Sequence, residues 1–178
     1  SSMLCSILLP SGNISSENTM DNVDKNILEL VQENARISNA DLARANNMAA
    51  SSMLDRVRRL EEHGYIKGYT TKLDKKKLGL TVEAIVMICL DRHEAGSIDE
   101  FEDKIRAIPE VTACWHIAGR YDYAVHVAVR DIEHLGELVK HNLGAIPGIE
   151  KQETFLTLST VKEDAGIALP NTTERGSK

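Results

Sequence analysis

The sequence predicts an α+β protein in which a small helical domain precedes a larger domain of strands and helices. Apolar residues recur at helical spacing over residues 23–60, whereas strand-like and helical runs alternate after residue 80. Charge divides the chain in a similar place: residues 20–77 hold eleven Lys and Arg against nine Asp and Glu, and residues 78–178 hold ten against seventeen. We therefore expect two domains, with contacts to a polyanion confined to the first.

Three short helices are predicted in the N-terminal domain, over about residues 23–33, 39–45 and 50–64. Ser38 can cap the second helix through its side chain. Asn46-Asn47 tolerates positive φ and lets the chain turn sharply before the third helix. This arrangement is typical of a helix-turn-helix domain, which we assign to residues 20–68.

The third helix has two unlike sides, because Met53, Val57 and Leu60 project together to one of them. The candidates for DNA contact are Ser51, Ser52, Asp55 and Arg59 on the opposite side, with Arg56 and Arg58 on its flanks. Serine lets the backbone approach base edges, and Arg can bond guanine or hold a phosphate. The lysines that follow, within residues 67–77, favour DNA as a partner. The alternative is a solvated Arg face and a solvated Lys-rich linker on a bundle that never touches DNA.

The second domain, residues 81–162, has the predicted order strand, helix, strand, strand, helix, strand. Strands are expected at 81–90, 111–117, 123–129 and 149–161. The echo of Ala107-Ile-Pro-Glu-Val111 in Ala145-Ile-Pro-Gly-Ile149 indicates two matched half-units, as in a ferredoxin-like βαββαβ sandwich with both helices on one sheet face. The other face is rich in apolar residues, and we expect it to pack on another subunit.

The remaining segments are residues 1–19, a disordered or tag-derived extension, residues 69–80, a hinge strand and linker, and residues 163–178, a C-terminal tail. No apolar run approaches the ~20 residues of a transmembrane helix, so a soluble protein is expected. Cys5, Cys89 and Cys114 match no zinc or redox spacing, which indicates reduced thiols in a cytoplasmic protein.

Several runs of residues carry a family resemblance. They are Asp24-Lys-Asn-Ile-Leu, Asn34-Ala-Arg-Ile-Ser-Asn, Asp41-Leu-Ala, Arg56-Val-Arg-Arg-Leu-Glu, Gly64-Tyr-Ile and Gly68-Tyr. Over about residues 20–162 the chain resembles the leucine-responsive/asparagine regulator (Lrp/AsnC) family of transcription regulators. The resemblance implies a winged helix-turn-helix that binds double-stranded DNA, and a sensor domain that binds a small-molecule effector, an amino acid. It also implies self-assembly as a dimer, tetramer or octamer.

One departure from the family lies at the start of the third helix. The family usually begins this helix with Ser followed by Pro, whereas Ala49-Ala50 stands here. Loss of a helix cap costs about 0.5 to 2 kcal/mol unless Ser51 or Ser52 takes over. DNA binding is still expected, with its sequence preference open.

The resemblance also implies where the effector binds. The family's effector loop is matched by Gly119, Tyr121, Asp122 and Tyr123, and its effector-response positions fall on Asp122, Phe155, Leu156 and Thr157. A Gly-containing turn exposes N–H groups to a carboxylate, and Asp122 can meet an ammonium group. The residues taken without the resemblance favour a tight hairpin turn in which Asp122 bonds its own backbone.

No catalytic or metal constellation emerges, so we expect neither an enzyme nor a cofactor. If the turn before Asp122 is tight, His116 and His126 lie nearly opposite each other, with Cys114 on the face of His116, but zinc needs about four ligands. Two other functions stay open. One is an enzyme similar to sirohaem decarboxylases, which would need His and Arg residues in a cleft, and the other is a ligand-independent, DNA-bending oligomer.

Overall fold

The computed structural model describes residues 20–91, 97–163 and 166–170. The predicted extension, residues 1–19, lies outside them. The chain divides into two compact units, with the described residues 20–71 and 166–170 in the first and residues 72–163 in the second. In these parts of the chain no helix is long and apolar enough to cross a membrane.

The first unit contains the three predicted helices: α1 is Asn22–Glu33, α2 is Asn39–Ala45 and α3 is Ala50–Glu62. Its core consists of the buried side chains of Ile27, Leu28, Leu42, Ala43, Met53, Val57 and Leu60. The turn before α3 forms as predicted, because Asn47 adopts a positive φ of 52°. The predicted lack of a cap on α3 is also confirmed, since Ala49 occupies the N-cap position and no side chain hydrogen-bonds there.

The chain between the units does not contain the hinge strand that we expected within residues 69–80. All of these residues are described, and apart from a turn over residues 75–79 they have no regular secondary structure. An isolated extended segment has no neighbouring strand to hydrogen-bond, so the sequence pattern alone cannot make it a strand. The linker part of that prediction stays a prediction.

The second unit has the predicted βαββαβ order. Its elements are β1 (Val82–Leu90), α4 (Ser97–Arg106), β2 (Val111–His116), β3 (Tyr123–Val129), α5 (Ile132–Glu137), a π-helical continuation (Leu138–Leu143) and β4 (Ile149–Leu156). The strands form one antiparallel sheet in the order β2-β3-β1-β4. This is the ferredoxin-like arrangement expected from the two matched half-units, and each of those repeated segments joins a helix to a strand.

Both helices cover the same face of this sheet, as predicted. From α4 and α5 with its π-helical continuation, Phe101, Ile105, Leu135 and Leu138 are buried against alternate strand residues. Those strand residues are Ala84, Val86, Ile88, Leu90, Tyr123, Val125, Val127 and Val129. The period of two shows that one face of β1 and β3 forms the core.

The last strand is shorter than the predicted range of 149–161, because β4 ends at Leu156. Its partner β1 begins at Val82, and the pairing stops after Ala84 faces Leu156. One more hydrogen bond follows, from the Thr157 N–H to the Glu83 carbonyl oxygen. Beyond it Val161 is 97% exposed, so its apolar character did not place it in the sheet.

The cap of α5 provides a test of this unit. The Asp131 carboxylate accepts a hydrogen bond of 2.7 Å from the backbone N–H of His134. Asp131→Ala should therefore lower the free energy of unfolding by about 0.5 to 2 kcal/mol in urea titrations. Glu137→Ala, at an exposed position of the same helix, is the matched control. Equal stability of the two variants would show that the cap contributes nothing.

Candidate DNA-binding and effector sites

Helix α3 presents one polar side to solvent. Ser51, Ser52, Asp55 and Arg58 are exposed on it, and Met53, Val57 and Leu60 are buried on the other side. The polar and the apolar residues of α3 therefore lie on opposite sides of the helix, as their spacing predicts. Whether these residues contact DNA stays a prediction.

Arg56 and Arg59 have partners within the unit. An Nη atom of Arg56 lies 2.8 Å from Asp24 Oδ1 and 2.7 Å from Asp21 Oδ2, and Arg59 Nη2 lies 3.1 Å from Asp24 Oδ2. Asp24 is only 4% exposed, so its charge needs these guanidinium groups. They join the start of α1 to the middle of α3.

Asp21 completes this cluster as the N-cap of α1. Its carboxylate accepts a hydrogen bond of 2.8 Å from the Asp24 N–H, and the Asp24 side chain bonds back to the Asp21 N–H at 3.4 Å. Burial raises the pKa of Asp21, but the Asp24 N–H and the Arg56 guanidinium outweigh it and hold the pKa below its ordinary value. The capping carboxylate is therefore ionised at neutral pH.

Arg58 differs from its two neighbours because it makes no ion pair within the part of the chain that the structure describes. Together with Ser51 and Asp55 it forms a stripe at spacings of three and four residues along the exposed side. Of the three predicted arginines, Arg58 alone is exposed without an acidic partner among the described residues. Arg59 keeps 47% of its side chain exposed and can also reach outward.

The loop between β2 and β3 holds Asp122 in a role that we did not expect. Its carboxylate accepts a hydrogen bond of 2.9 Å from the Leu90 N–H at the end of β1. Its own N–H donates to the Ile88 carbonyl oxygen, also at 2.9 Å. Asp122 thus fastens the loop to a neighbouring strand, and its carbonyl oxygen also closes the loop by accepting a hydrogen bond of 2.8 Å from the Ile117 N–H.

The loop is also longer than the tight hairpin we considered, because six residues separate His116 from Tyr123. The His116 ring stacks on Tyr123 at 4.7 Å, whereas His126 pairs with Ala113 further along β3. The two histidines therefore do not face each other, and that prediction was wrong. In the described parts of the chain, no group of three His, Cys, Asp or Glu residues is placed to hold a metal.

Tyr121 belongs to a charged cluster that the sequence did not reveal. Its hydroxyl donates to Glu153 Oε2 at 2.6 Å, and Arg120 lies against its ring at 4.7 Å. Lys151 Nζ lies 2.6 Å from Glu153 Oε1. Hydrogen bonds from Lys151 and Tyr121 hold the pKa of Glu153 below its ordinary value. Lys151 and Glu153 lie two residues apart on β4, so their side chains share one face of the sheet. From the sequence alone, such charges predict only a solvated strand.

Tyr123 points into the helix-covered core and is 2% exposed. Its ring lies 4.6 Å from Phe101, and its hydroxyl donates to Glu102 Oε1 at 2.9 Å. Burial, together with the Glu102 carboxylate, raises the pKa of Tyr123 to about 12. Tyr123 also lines a cavity of about 330 Å³ together with Glu102 and His116, and its predicted contact with an effector stays a prediction.

Phe155, Leu156 and Thr157 lie far from this loop within one chain. Phe155 pairs with Ile85, whereas Asp122 bonds to Leu90, five residues further along β1. At the rise of a strand this is a separation of roughly 17 Å. Phe155 is 50% exposed and shares the uncovered face with Ile85. One chain therefore brings Asp122 and Tyr121 to one end of β1, and the three β4-end residues to the other.

The uncovered face of the sheet carries large apolar side chains on β1, β2 and β4, with His126 of β3 directly across from Ile85. Ile85, Trp115 and Phe155 are 37%, 53% and 50% exposed there. A polar group borders them: His126 Nε2 lies 3.2 Å from Glu83 Oε2, which also contacts Lys75 Nζ at 2.5 Å. Burial and the nearby Lys75 charge lower the pKa of His126, against the opposite effect of Glu83.

Together, these units define a class of protein: a regulator with a helix-turn-helix unit for DNA and a ferredoxin-like unit for a ligand. Two family models agree, since one described as winged helix-turn-helix DNA-binding matches residues 20–67, and one described as Lrp/AsnC ligand binding domain matches residues 83–167. The wing of such a domain would follow α3, and residues 64–71 contain no strand there. The assignment to a winged helix-turn-helix does not depend on that strand.

Relatives are similar over most of both chains. The transcriptional regulator AzlB of Bacillus subtilis is 33% identical over 150 residues, covering 84% of this chain and 96% of that protein. The leucine-responsive regulatory protein of Escherichia coli is 31% identical over 150 residues, with 84% and 92% covered. The chain belongs to the Lrp/AsnC family, and it is a DNA-binding transcription regulator with a ligand-binding domain.

Solved structures support the same assignment. A transcriptional regulator of Neisseria meningitidis in complex with L-Met superposes with a TM-score of 0.78 at 26% identity, covering 82% of this chain and 94% of that one. Escherichia coli AsnC gives a TM-score of 0.74 at 26% identity, with 87% and 99% covered. The similarity therefore spans both units.

The ion pairs of Asp24 generate a prediction about stability. Arg56→Ala should lower the free energy of unfolding of the first unit by about 1 to 3 kcal/mol, because the buried Asp24 carboxylate loses a charged hydrogen-bond donor. Thermal and urea unfolding measure it. Arg58→Ala on the exposed side is the matched control and should change stability little. If Arg56→Ala and Arg58→Ala have equal free energies of unfolding, Arg56 does not stabilise Asp24.

Proposed function

We propose that the exposed side of α3 enters the major groove of DNA, and that an amino acid binds between the ligand-binding units of two copies. Binding of the amino acid then alters DNA affinity or assembly, because it favours one arrangement of the copies over another. The protein acts by binding and not by catalysis. The observation that carries the effector part is the separation of Asp122 from Phe155 within one chain.

Arg58 is the base-reading candidate on α3. It is exposed, it has no acidic partner among the described residues, and it shares a stripe with Ser51 and Asp55. Arginine can bond guanine through two donors, and serine leaves room for the backbone to approach. Arg59, half exposed but tied to Asp24, suits a phosphate contact that fixes the position of the helix.

The effector site requires more than one copy if all the predicted residues take part. An amino acid is too short to contact both Asp122 and Phe155 across roughly 17 Å of one sheet. A second copy can bring its β4 end next to the first copy's loop. Since a relative is solved with L-Met, methionine is the first ligand to test.

Self-association is proposed on the uncovered sheet face. Ile85, Trp115 and Phe155 expose large apolar side chains on it, and the two helices lie on the other face. Exposed apolar surface of this kind is typical of an interface between proteins. A symmetric dimer would cover the same patch on both copies.

The DNA contact is tested by Arg58→Ala. This variant should weaken binding to a natural operator by about 1 to 3 kcal/mol, since a bidentate base contact is lost. Fluorescence anisotropy with labelled operator DNA measures the affinity. Arg106→Ala, an exposed Arg of the second unit, controls for loss of general positive charge. Equal affinity of Arg58→Ala and the parent protein contradicts the assignment.

The effector contact is tested by Asp122→Asn. The amide oxygen can still accept the Leu90 hydrogen bond, but the charge for an ammonium group is gone. Calorimetry should show roughly 10- to 100-fold weaker binding of L-methionine, or of whichever of the twenty amino acids the parent binds. Asp99→Asn on exposed α4 is the control. If the parent binds no amino acid, the sensor proposal fails, and a different ligand or a ligand-independent DNA-bending oligomer replaces it.

The interface is tested by Ile85→Arg. A charge in the centre of the apolar face should convert the dimer or larger assembly into a monomer, because an unpaired buried charge is costly. Light scattering at micromolar concentration measures the mass. Ile98→Arg, at an exposed Ile on α4, is the matched control and should leave the assembly intact. A monomeric parent protein contradicts the proposed interface.

A further inference from the structure

The first unit is built from two separate stretches of chain. Residues 166–170, which follow the ligand-binding unit in sequence, belong to it together with residues 20–71. Leu169 packs against the core formed by α1, α2 and α3. The predicted C-terminal tail therefore contributes to the DNA-binding unit.

A side-chain amide holds this segment in one orientation. Gln32 Nε2 donates to the Ile167 carbonyl oxygen at 3.2 Å, and the Ile167 N–H donates to Gln32 Oε1 at 2.7 Å. Both backbone groups of one residue thus pair with one side chain of α1. The Ile167 side chain itself is 73% exposed, so Ile167 contributes through its backbone.

Gly166 is suited to this position for two reasons. Its φ of +92° is a conformation that other residues rarely adopt. A Cβ at this position would also lie 2.6 Å from Gln32 Oε1 and 3.0 Å from Gln32 Cδ. A larger residue would therefore strain the backbone and push Gln32 away from Ile167.

We propose that residues 166–170 form a clasp on α1 that completes the DNA-binding unit. The clasp has a specific hydrogen-bonded pair at Ile167, an apolar anchor at Leu169 and a glycine that allows the close approach. A domain of this size buries little apolar surface, so one added side chain has a measurable effect on its stability. The clasp stabilises α1, which Asp24 in turn connects to the recognition helix α3.

The hydrogen-bonded pair is tested in the full chain by hydrogen exchange. The Ile167 N–H should be protected in the parent protein, and Gln32→Ala should speed its exchange roughly two- to tenfold because its acceptor is removed. Gly166→Ala should have the same effect by displacing Gln32. Glu33→Ala, at the neighbouring exposed position, is the control and should leave the rate unchanged.

The apolar anchor is tested by thermal unfolding. Leu169→Ala should lower the unfolding midpoint of the DNA-binding unit by roughly 4 to 8 °C. Ile167→Ala truncates an exposed side chain, keeps both backbone hydrogen bonds and should change the midpoint little. An unprotected Ile167 N–H in the parent overturns the clasp. The clasp is also overturned if Leu169→Ala and Ile167→Ala have the same unfolding midpoint.

Discussion

The four-stranded sheet carries apolar side chains on both faces, whereas its helices cover only one. Val86 and Val125 lie under the helices, while Ile85, Trp115 and Phe155 lie on the open face. Apolar surface left in water is unfavourable, and this is the physical basis of the interface proposed on the open face. The same constraint explains the effector proposal. Within one chain the loop at Asp122 and the β4 end at Phe155 lie at opposite ends of β1, and the proposed second copy would bring them together.

A buried charge organises the other unit. Asp24 sits on the apolar stripe of α1 and is almost fully buried, so its carboxylate must be neutralised locally. Arg56 and Arg59 provide this neutralisation and are thereby drawn towards α1. The recognition helix then has different arginines for different tasks. Two hold the helix against its neighbour, and Arg58 remains exposed, as the base contact proposed for it requires.

The sequence predicted the order of elements because periodicity and turn residues are local signals. Asn47 adopts the expected positive φ, and Tyr123–Val129 forms the expected strand. The errors came from contacts between distant segments. The end of β4 depended on where β1 starts, and the role of Asp122 depended on the backbone of Leu90. The sequence also contained a signal for the buried charge. Asp24 shares helical spacing with Ile27, Leu28 and Val31, which indicates a buried carboxylate that needs a cation.

The position of residues 166–170 has a consequence during synthesis of the protein. A ribosome produces α1, α2 and α3 first, then the whole ligand-binding unit, and only afterwards Gly166 and Leu169. The nascent helix-turn-helix therefore cannot make these contacts until the ligand-binding unit and residues 166–170 have left the exit tunnel. A prematurely terminated chain lacks them. With the proposed clasp, a DNA-binding unit at its full stability is therefore always joined to a complete ligand-binding unit.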